Sequence, residues 1–205
     1  MEYQILSEKV TIDEKTLEGT SYLKGGIDHP RLFEFAIGEF EKFEDNDVFI
    51  DVGANIGLFS LLIKKGTAIA FEPVPETYFK LVANCRLNSQ KNIIPILFAL
   101  HSEIKRFDIL YDPKVDGCNK IVIDEAGTFT TQVLDNLLIK KIRLLKIDAE
   151  GMDFEILRGA EKIIDRFHPS IIIEIDKCDS SEVTKFLKAK GYTFEFIGGT
   201  DLIAK

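Results

Sequence analysis

Residues 48–57 read VFIDVGANIG. An apolar run from Val48 to Val52 carries one acid, Asp51, and passes directly into GxNxG. Short apolar runs bounded by turn residues are the mark of strands buried in a parallel sheet, so the stretch predicts a central strand that ends in a tight turn. Glycine lets the backbone turn sharply and lets a ligand lie against it. Asn is the non-glycine residue that best tolerates positive φ. Asn55 therefore keeps a turn that a glycine would otherwise make and adds an amide for hydrogen bonding. Asp51, Gly53, Asn55 and Gly57 are the residues predicted to line a ligand cradle.

The turn argues against a dinucleotide. That fingerprint needs GxGxxG, and here Gly53, Asn55 and Leu58 would fill its three glycine places, so it fails at two. The GK[ST] of a phosphate-binding loop is absent from this turn. A carboxylate at Asp51 also sits badly beside a pyrophosphate and well beside an ammonium group.

Outward from this turn the chain alternates short apolar runs with amphipathic stretches. A helix is predicted over Leu58 to Lys65, closed by Gly66, then a strand over Thr67 to Phe71. Pro75 opens a helix with Tyr78, Leu81, Val82 and Cys85 on one face. Ile93 to Leu100 reads as a third strand whose Pro95 suits a sheet edge. Short β segments around a turn at Asp116-Gly117 are expected over 104–134. Ile142 to Ile147 resumes the series, and one helix is predicted to place Met152, Ile156, Leu157, Ala160, Ile163 and Ile164 together. Ser170 to Ile175 is a further strand. Asp179 and Glu182 suggest a capping box for a last helix ending at Gly191. Tyr192 to Ile197, Gly198-Gly199 and Leu202 to Ala204 read as a terminal hairpin. Repeated βα units predict a doubly wound α/β fold, a mainly parallel sheet with helices on both faces and an antiparallel hairpin at its end. Residues 1–46, with a β-like start, Gly25-Gly26 and a helix from Pro30, read as a cap packed on the core formed by 47–205.

Composition narrows the function class. Of 205 residues, 45% are hydrophobic and 29% charged, which is ordinary for a globular chain. The apolar runs fall far short of the roughly 20 residues a membrane span needs, and MEYQILSEKV lacks a signal-peptide core, so the expected location is the cytoplasm. A formal charge of −8 argues against nucleic acid as partner. Cys85, Cys118 and Cys178 are spaced as free thiols. The three histidines make no metal-binding spacing, and no metal site is expected. Asp148, Glu174 and Asp176 are the acids that a Mg²⁺ alternative would use.

In open α/β sheets ligands bind beyond the carboxyl ends of the strands. Glu72, followed by Pro73, ends the second strand, where a carboxylate can accept hydrogen bonds from a ribose diol. Leu100 and His101 follow the third. Asp148 and Glu150, in LLKIDAEG, end the fourth. Two acids at the mouth of a central strand are costly to bury unless used or paired, and either one, or His101, could take a proton from a hydroxyl.

Four blocks carry a resemblance: FIDVGANIGLFS (49–60), AFEPVPETYFKLVANCRLN (70–88), LLKIDAEGMDFEILRGA (144–160) and PSIIIEI (169–175). In this order and spacing the chain resembles the FkbM family of S-adenosylmethionine-dependent methyltransferases. Asp153 stands where that family often has Glu, and Asn136 follows LD where another acid is common. The resemblance implies a class I, Rossmann-like methyltransferase fold with a seven-stranded sheet, as a single domain over 1–205. It implies S-adenosylmethionine as cofactor, with Asp51 to Gly57 at the methionine part, Glu72 and Pro73 at the ribose, Leu100 and His101 beside the adenine, and Asp148 to Gly151 bordering the transferred methyl group. It further implies O-methylation of a small-molecule or glycan hydroxyl, with Asp148, Glu150 and His101 as the catalytic candidates. Two other readings share the sheet. A nicotinamide-dependent reductase would also use Glu72, but no Tyr in the chain has a Lys four residues on. A non-catalytic cofactor-binding or interaction domain would keep Asp51 and Glu72 without turnover.

Overall fold

The computed structural model describes residues 2–13, 29–110 and 120–205. Gly25-Gly26, Asp116-Gly117 and Cys118 lie outside these residues. The chain opens with a hairpin, β1 (Glu2–Ile5) and β2 (Glu8–Thr11), and a helix, α1 (Pro30–Phe40). The main sheet begins with β3 (Val48–Val52) and β4 (Thr67–Phe71), then α2 (Pro75–Leu87) and β5 (Ile93–Ile96). Three strands make a separate small sheet, β6 (Arg106–Leu110), β7 (Lys120–Ile123) and β8 (Phe129–Thr130). The main sheet resumes with β9 (Ile142–Ile147), α3 (Asp153–Arg158), α4 (Glu161–Phe167) and β10 (Ser170–Glu174). It ends with α5 (Ser180–Ala189), β11 (Phe194–Ile197) and β12 (Asp201–Ala204).

The seven-stranded sheet has the order β11-β12-β10-β9-β3-β4-β5. β3 and β9 are central, and β5 with Pro95 is the edge. The terminal hairpin forms as the sequence suggests, yet its reversed strand is not the edge. β12 inserts antiparallel between β10 and β11, so its apolar run Leu202, Ile203 and Ala204 is buried. One core face joins the N-terminal hairpin, α1 and α2 to β3 through residues such as Ile5, Phe40, Leu81 and Phe49. The other joins α3, α4 and α5 to β9 and β10. The hairpin is tied to α2 by side-chain amides: Thr11 N–H donates to Asn88 Oδ1 (2.8 Å), and Asn88 Nδ2 donates to Thr11 O (2.6 Å).

Two predicted helices take other forms. Over Leu58–Lys65 only a 3₁₀ turn, Ser60–Leu62, is present. Leu58, Ser60, Leu61, Leu62 and Ile63 are all buried, so the segment has no polar face of the kind that sets an amphipathic helix. Ser60 is instead drawn to Asp51 by a 2.6 Å hydrogen bond. The helix predicted over 152–164 divides into α3 and α4 around Gly159-Ala160. There Asp135 N–H donates to Gly159 O (2.9 Å), while the Asp135 carboxylate accepts from Lys162 and Ile163 N–H (2.9 Å each). A distant acid thus caps α4 while Ile156, Leu157, Ile163 and Ile164 stay in one core. The third strand stops at Ile96, and Leu100 makes only an isolated bridge to Gln132.

Candidate active site

The chain turns as soon as β3 ends. Gly53 has φ +70° and Asn55 φ +51°, the left-handed region that glycine enters freely and Asn tolerates. A Cβ on Gly53 would stand 1.7 Å from the Asp148 carbonyl oxygen, so the loop after β3 presses its bare backbone against the end of β9. Phe71 O accepts from the N–H groups of Gly53 (3.0 Å) and Ala54 (2.9 Å), which ties the turn to β4. Gly57 faces Leu81 of α2, whose Cδ1 would lie 2.5 Å from an added Cβ.

Glu72, just past β4, is only 6% exposed. Its Oε2 accepts from Asn55 N–H (2.9 Å) and its Oε1 from Val74 N–H (3.0 Å). Burial pushes its carboxyl up to about 7, against the pull of these two donors and Lys146. The backbone of the β3 turn is therefore braced on the acid at the neighbouring strand end.

Asp51 lies beneath the turn and outside the cleft lining. Its register partner on β9 is Lys146. The Lys146 ammonium is 3.6 Å from Asp51 Oδ1, 3.2 Å from Asp148 Oδ2 and 3.5 Å from Gly53 O, and 5.3 Å above the Phe59 ring. Ser60 Oγ donates to Asp51 Oδ2 at 2.6 Å. Burial holds the Asp51 carboxyl above its ordinary value despite Lys146 and Ser60. The ammonium that Asp51 was expected to attract is supplied by the chain itself.

The loop after β9 carries two left-handed residues in a row, Glu150 (φ +55°) and Gly151 (φ +101°). The fully buried Asp153 holds this shape by accepting from Ala149 N–H (2.7 Å) and Gly151 N–H (2.9 Å). The three acids of IDAEGMD thus divide. Asp153 closes the loop, whereas Asp148 and Glu150 face a cleft. Glu150 is ion-paired with Lys177, from the segment after β10.

That cleft, about 740 Å³ and partly open to solvent, runs along the carboxyl ends of β3, β4 and β9. Among the predicted residues Gly53, Asn55, Glu72, Pro73, Leu100, Asp148 and Glu150 line it. His101 does not: its Nδ1 meets Ser102 Oγ (3.3 Å) and Glu103 N–H (3.3 Å), and burial lowers its pKa. A recess of about 350 Å³ adjoins the cleft at Gly53, Asn55 and Asp148 and is walled by Phe33, Phe59 and Lys146. The Phe33 and Phe59 rings stack at 4.2 Å. Among the described residues no three His, Cys, Asp or Glu side chains gather as a metal site, and no helix is long and apolar enough to cross a membrane. Sequence reasoning passed over Phe98 and Met152, which line the cleft, and Lys146. The last left a signal: a lysine inside an apolar strand has to find a charged partner.

Residues 51–194 match the methyltransferase FkbM domain. The chain belongs to the FkbM methyltransferase family. It is 31% identical over 156 residues to the hexuronic acid methyltransferase AglP of Haloferax volcanii, a match that covers 72% of this chain and 64% of that protein. It is 23% identical over 197 residues to Methyltransferase 1 of Beauveria bassiana, covering 80% of this chain and 79% of the relative. The crystal structure of the FkbM methyltransferase from Methylobacillus flagellatus KT superposes with a TM-score of 0.59 at 18% identity, over 80% of this chain and 44% of that one. The fold is that of the class I methyltransferases, and this FkbM chain spans less than two thirds of the Haloferax protein's length and less than half of the Methylobacillus one.

Proposed function

We propose that this protein transfers a methyl group from S-adenosylmethionine to a hydroxyl of a sugar or small natural-product-like acceptor. The observation that carries the reading is the convergence of Gly53, Asn55, Glu72 and Asp148 on one cleft at the carboxyl ends of the central strands, the edge where open α/β sheets bind ligands. The residues fit the cofactor. Glu72 keeps further lone pairs for a ribose diol beside the two backbone donors it already accepts. Asn55 Oδ1 is buried with no hydrogen-bond partner among the described residues, an acceptor left for a ligand donor. Pro73 and Leu100, with Phe98 and Ala99, supply apolar walls for the adenine.

The cofactor, when bound, supplies a methyl group already activated on sulfur, so the chain's work is alignment and proton removal. Asp148 is the base. Lys146 holds its Oδ2, so Oδ1 takes the acceptor's proton. Glu150 orients the acceptor at the rim, held by Lys177. His101 faces the Ser102–Glu103 turn and has no part in the step. The name of the Haloferax relative, a hexuronic acid methyltransferase, supports a sugar-like acceptor.

Calorimetric titration with S-adenosylhomocysteine beside NAD tests the reading, followed by turnover on a panel of hexoses and hexuronic acids. Binding of NAD without the nucleoside thioether overturns it. Tight binding of the thioether with no turnover on any hydroxyl favours a cofactor-binding domain without catalysis.

A further inference from the structure

We propose that Lys146 is a positioning residue that sets the charge of the methyl-transfer end of the cleft. The inference rests on the methyltransferase reading above. Lys146 is the one charged residue between Leu144 and Ile147 on β9, where its neighbours are wholly buried, and it is itself only 4% exposed. An ammonium so placed persists only if paired. Among the described residues, oxygens from three elements meet it: Asp51 on β3, Gly53 in the turn and Asp148 at the end of β9. The Phe59 ring lies beneath it. Asp148 borders both the cleft and the recess, so the charge of Lys146 is felt at the point where the two meet.

Among the described residues Lys146 touches two carboxylates, Asp51 and Asp148, and its one positive charge offsets one of them. That count matters for the reaction. Methyl transfer from a sulfonium to a hydroxyl breaks the C–S bond, leaves its electron pair on sulfur and forms an O–CH₃ bond while the hydroxyl proton passes to a base. The positive charge on sulfur is full at the start and fades towards the transition state. Two uncompensated carboxylates at this end would stabilise the starting state more than the transition state, and interactions of that kind slow a reaction. They would also favour the charged cofactor over its neutral product. Lys146 offsets one carboxylate, so that the cation is held without being trapped, and at the same time it fixes Asp148 by its Oδ2.

The test is the preference for S-adenosylmethionine over S-adenosylhomocysteine, measured by calorimetry on the full chain. All titrations are run in one buffer at one pH, so that the variants differ only in the substituted side chain. In Lys146→Met the preference for the sulfonium rises about tenfold, the size of one unscreened charge in a partly buried site. In Lys146→Arg it stays within about twofold, because the charge is kept. In Asp148→Asn it falls by at least about threefold, because one negative charge is gone. Should Lys146→Met fail to fold, the Arg and Asn variants decide. A preference unmoved in Lys146→Met, moved in Lys146→Arg or unmoved in Asp148→Asn overturns the role of Lys146. If the wild type binds neither nucleoside, it is the methyltransferase reading that falls.

Discussion

Asp51 and Lys146 stand directly opposite each other on adjacent parallel strands, carboxylate and ammonium 3.6 Å apart and both almost wholly buried. Removing one member of such a pair strands the other charge, at about 3–5 kcal/mol. Asp51→Asn and Lys146→Met are each expected to lose that much stability in urea denaturation. The double variant should lose less than the sum by at least about 1 kcal/mol, since neither charge is left alone. Strictly additive losses would mean that Lys146 is held without Asp51.

The β3 turn separates backbone strain from ligand chemistry. Gly53→Ala drives a Cβ into the Asp148 carbonyl at φ +70° and should cost more than about 2 kcal/mol, read as a lower melting temperature. Asn55→Gly keeps the left-handed turn and should stay within about 1 kcal/mol of wild type. It nevertheless removes the amide, so S-adenosylhomocysteine should bind it more weakly. Asn55→Ala should show both losses.

Glu72 makes binding depend on pH near neutrality. Its folded pKa is raised from 4.5 to about 7. The stability this group contributes is therefore full below 4.5 and lost as pH rises through about 7. Ligand binding runs the opposite way, because accepting from ribose hydroxyls calls for the carboxylate. Affinity for S-adenosylhomocysteine should rise between about pH 6 and 8, and Glu72→Gln should flatten that rise. A wild-type affinity that is level across this range would remove Glu72 from the ribose site.

Glu174, at the end of β10, is pushed up to about 8 by burial and by Asp148, Asp153 and Glu150, with Lys177 opposing. Its Oε2 is buried without a hydrogen-bond partner among the described residues. The folded state thus increasingly resists the charged form as pH climbs from 4.5 to about 8. Glu174→Gln should leave the melting temperature nearly unchanged at about pH 5 and stabilise by roughly 1–2 kcal/mol at about pH 9, allowing for solvent screening. A gain as large in acid as in alkali would point to packing and not charge.

Much of the fold follows from period and punctuation. β3, β4, β9 and β10 are nearly unbroken apolar runs, and Pro95 marks β5 as an edge, so strand positions and the line of strand ends are legible. The acids and the turn at those ends follow with them, which is why Gly53, Asn55, Glu72 and Asp148 line one cleft. What failed depended on contacts distant in sequence. The apolar stretch after Gly57 does not make a helix because Ser60 answers Asp51. The helix after β9 breaks where Asp135 reaches Gly159. His101 turns from the cleft because its loop runs back beside Gly159, whose added Cβ would meet the His101 carbonyl at 2.5 Å. Lys146 acquires its meaning only from the register that sets it across from Asp51.

At the far side of the sheet, Ala68 N–H bonds to Asn92 O and Glu72 N–H to Ile96 O. The even-numbered residues of β5 therefore point their backbone groups towards β4, and the odd-numbered ones point outwards. Pro95 is an odd one, so the donor it lacks is missing from the outer rim. An incoming strand from another molecule finds no N–H there to complete a ladder. A single ring closure thus blunts the edge against strand-by-strand growth, a protection that Pro95→Val would strip away by restoring the donor on an exposed rim.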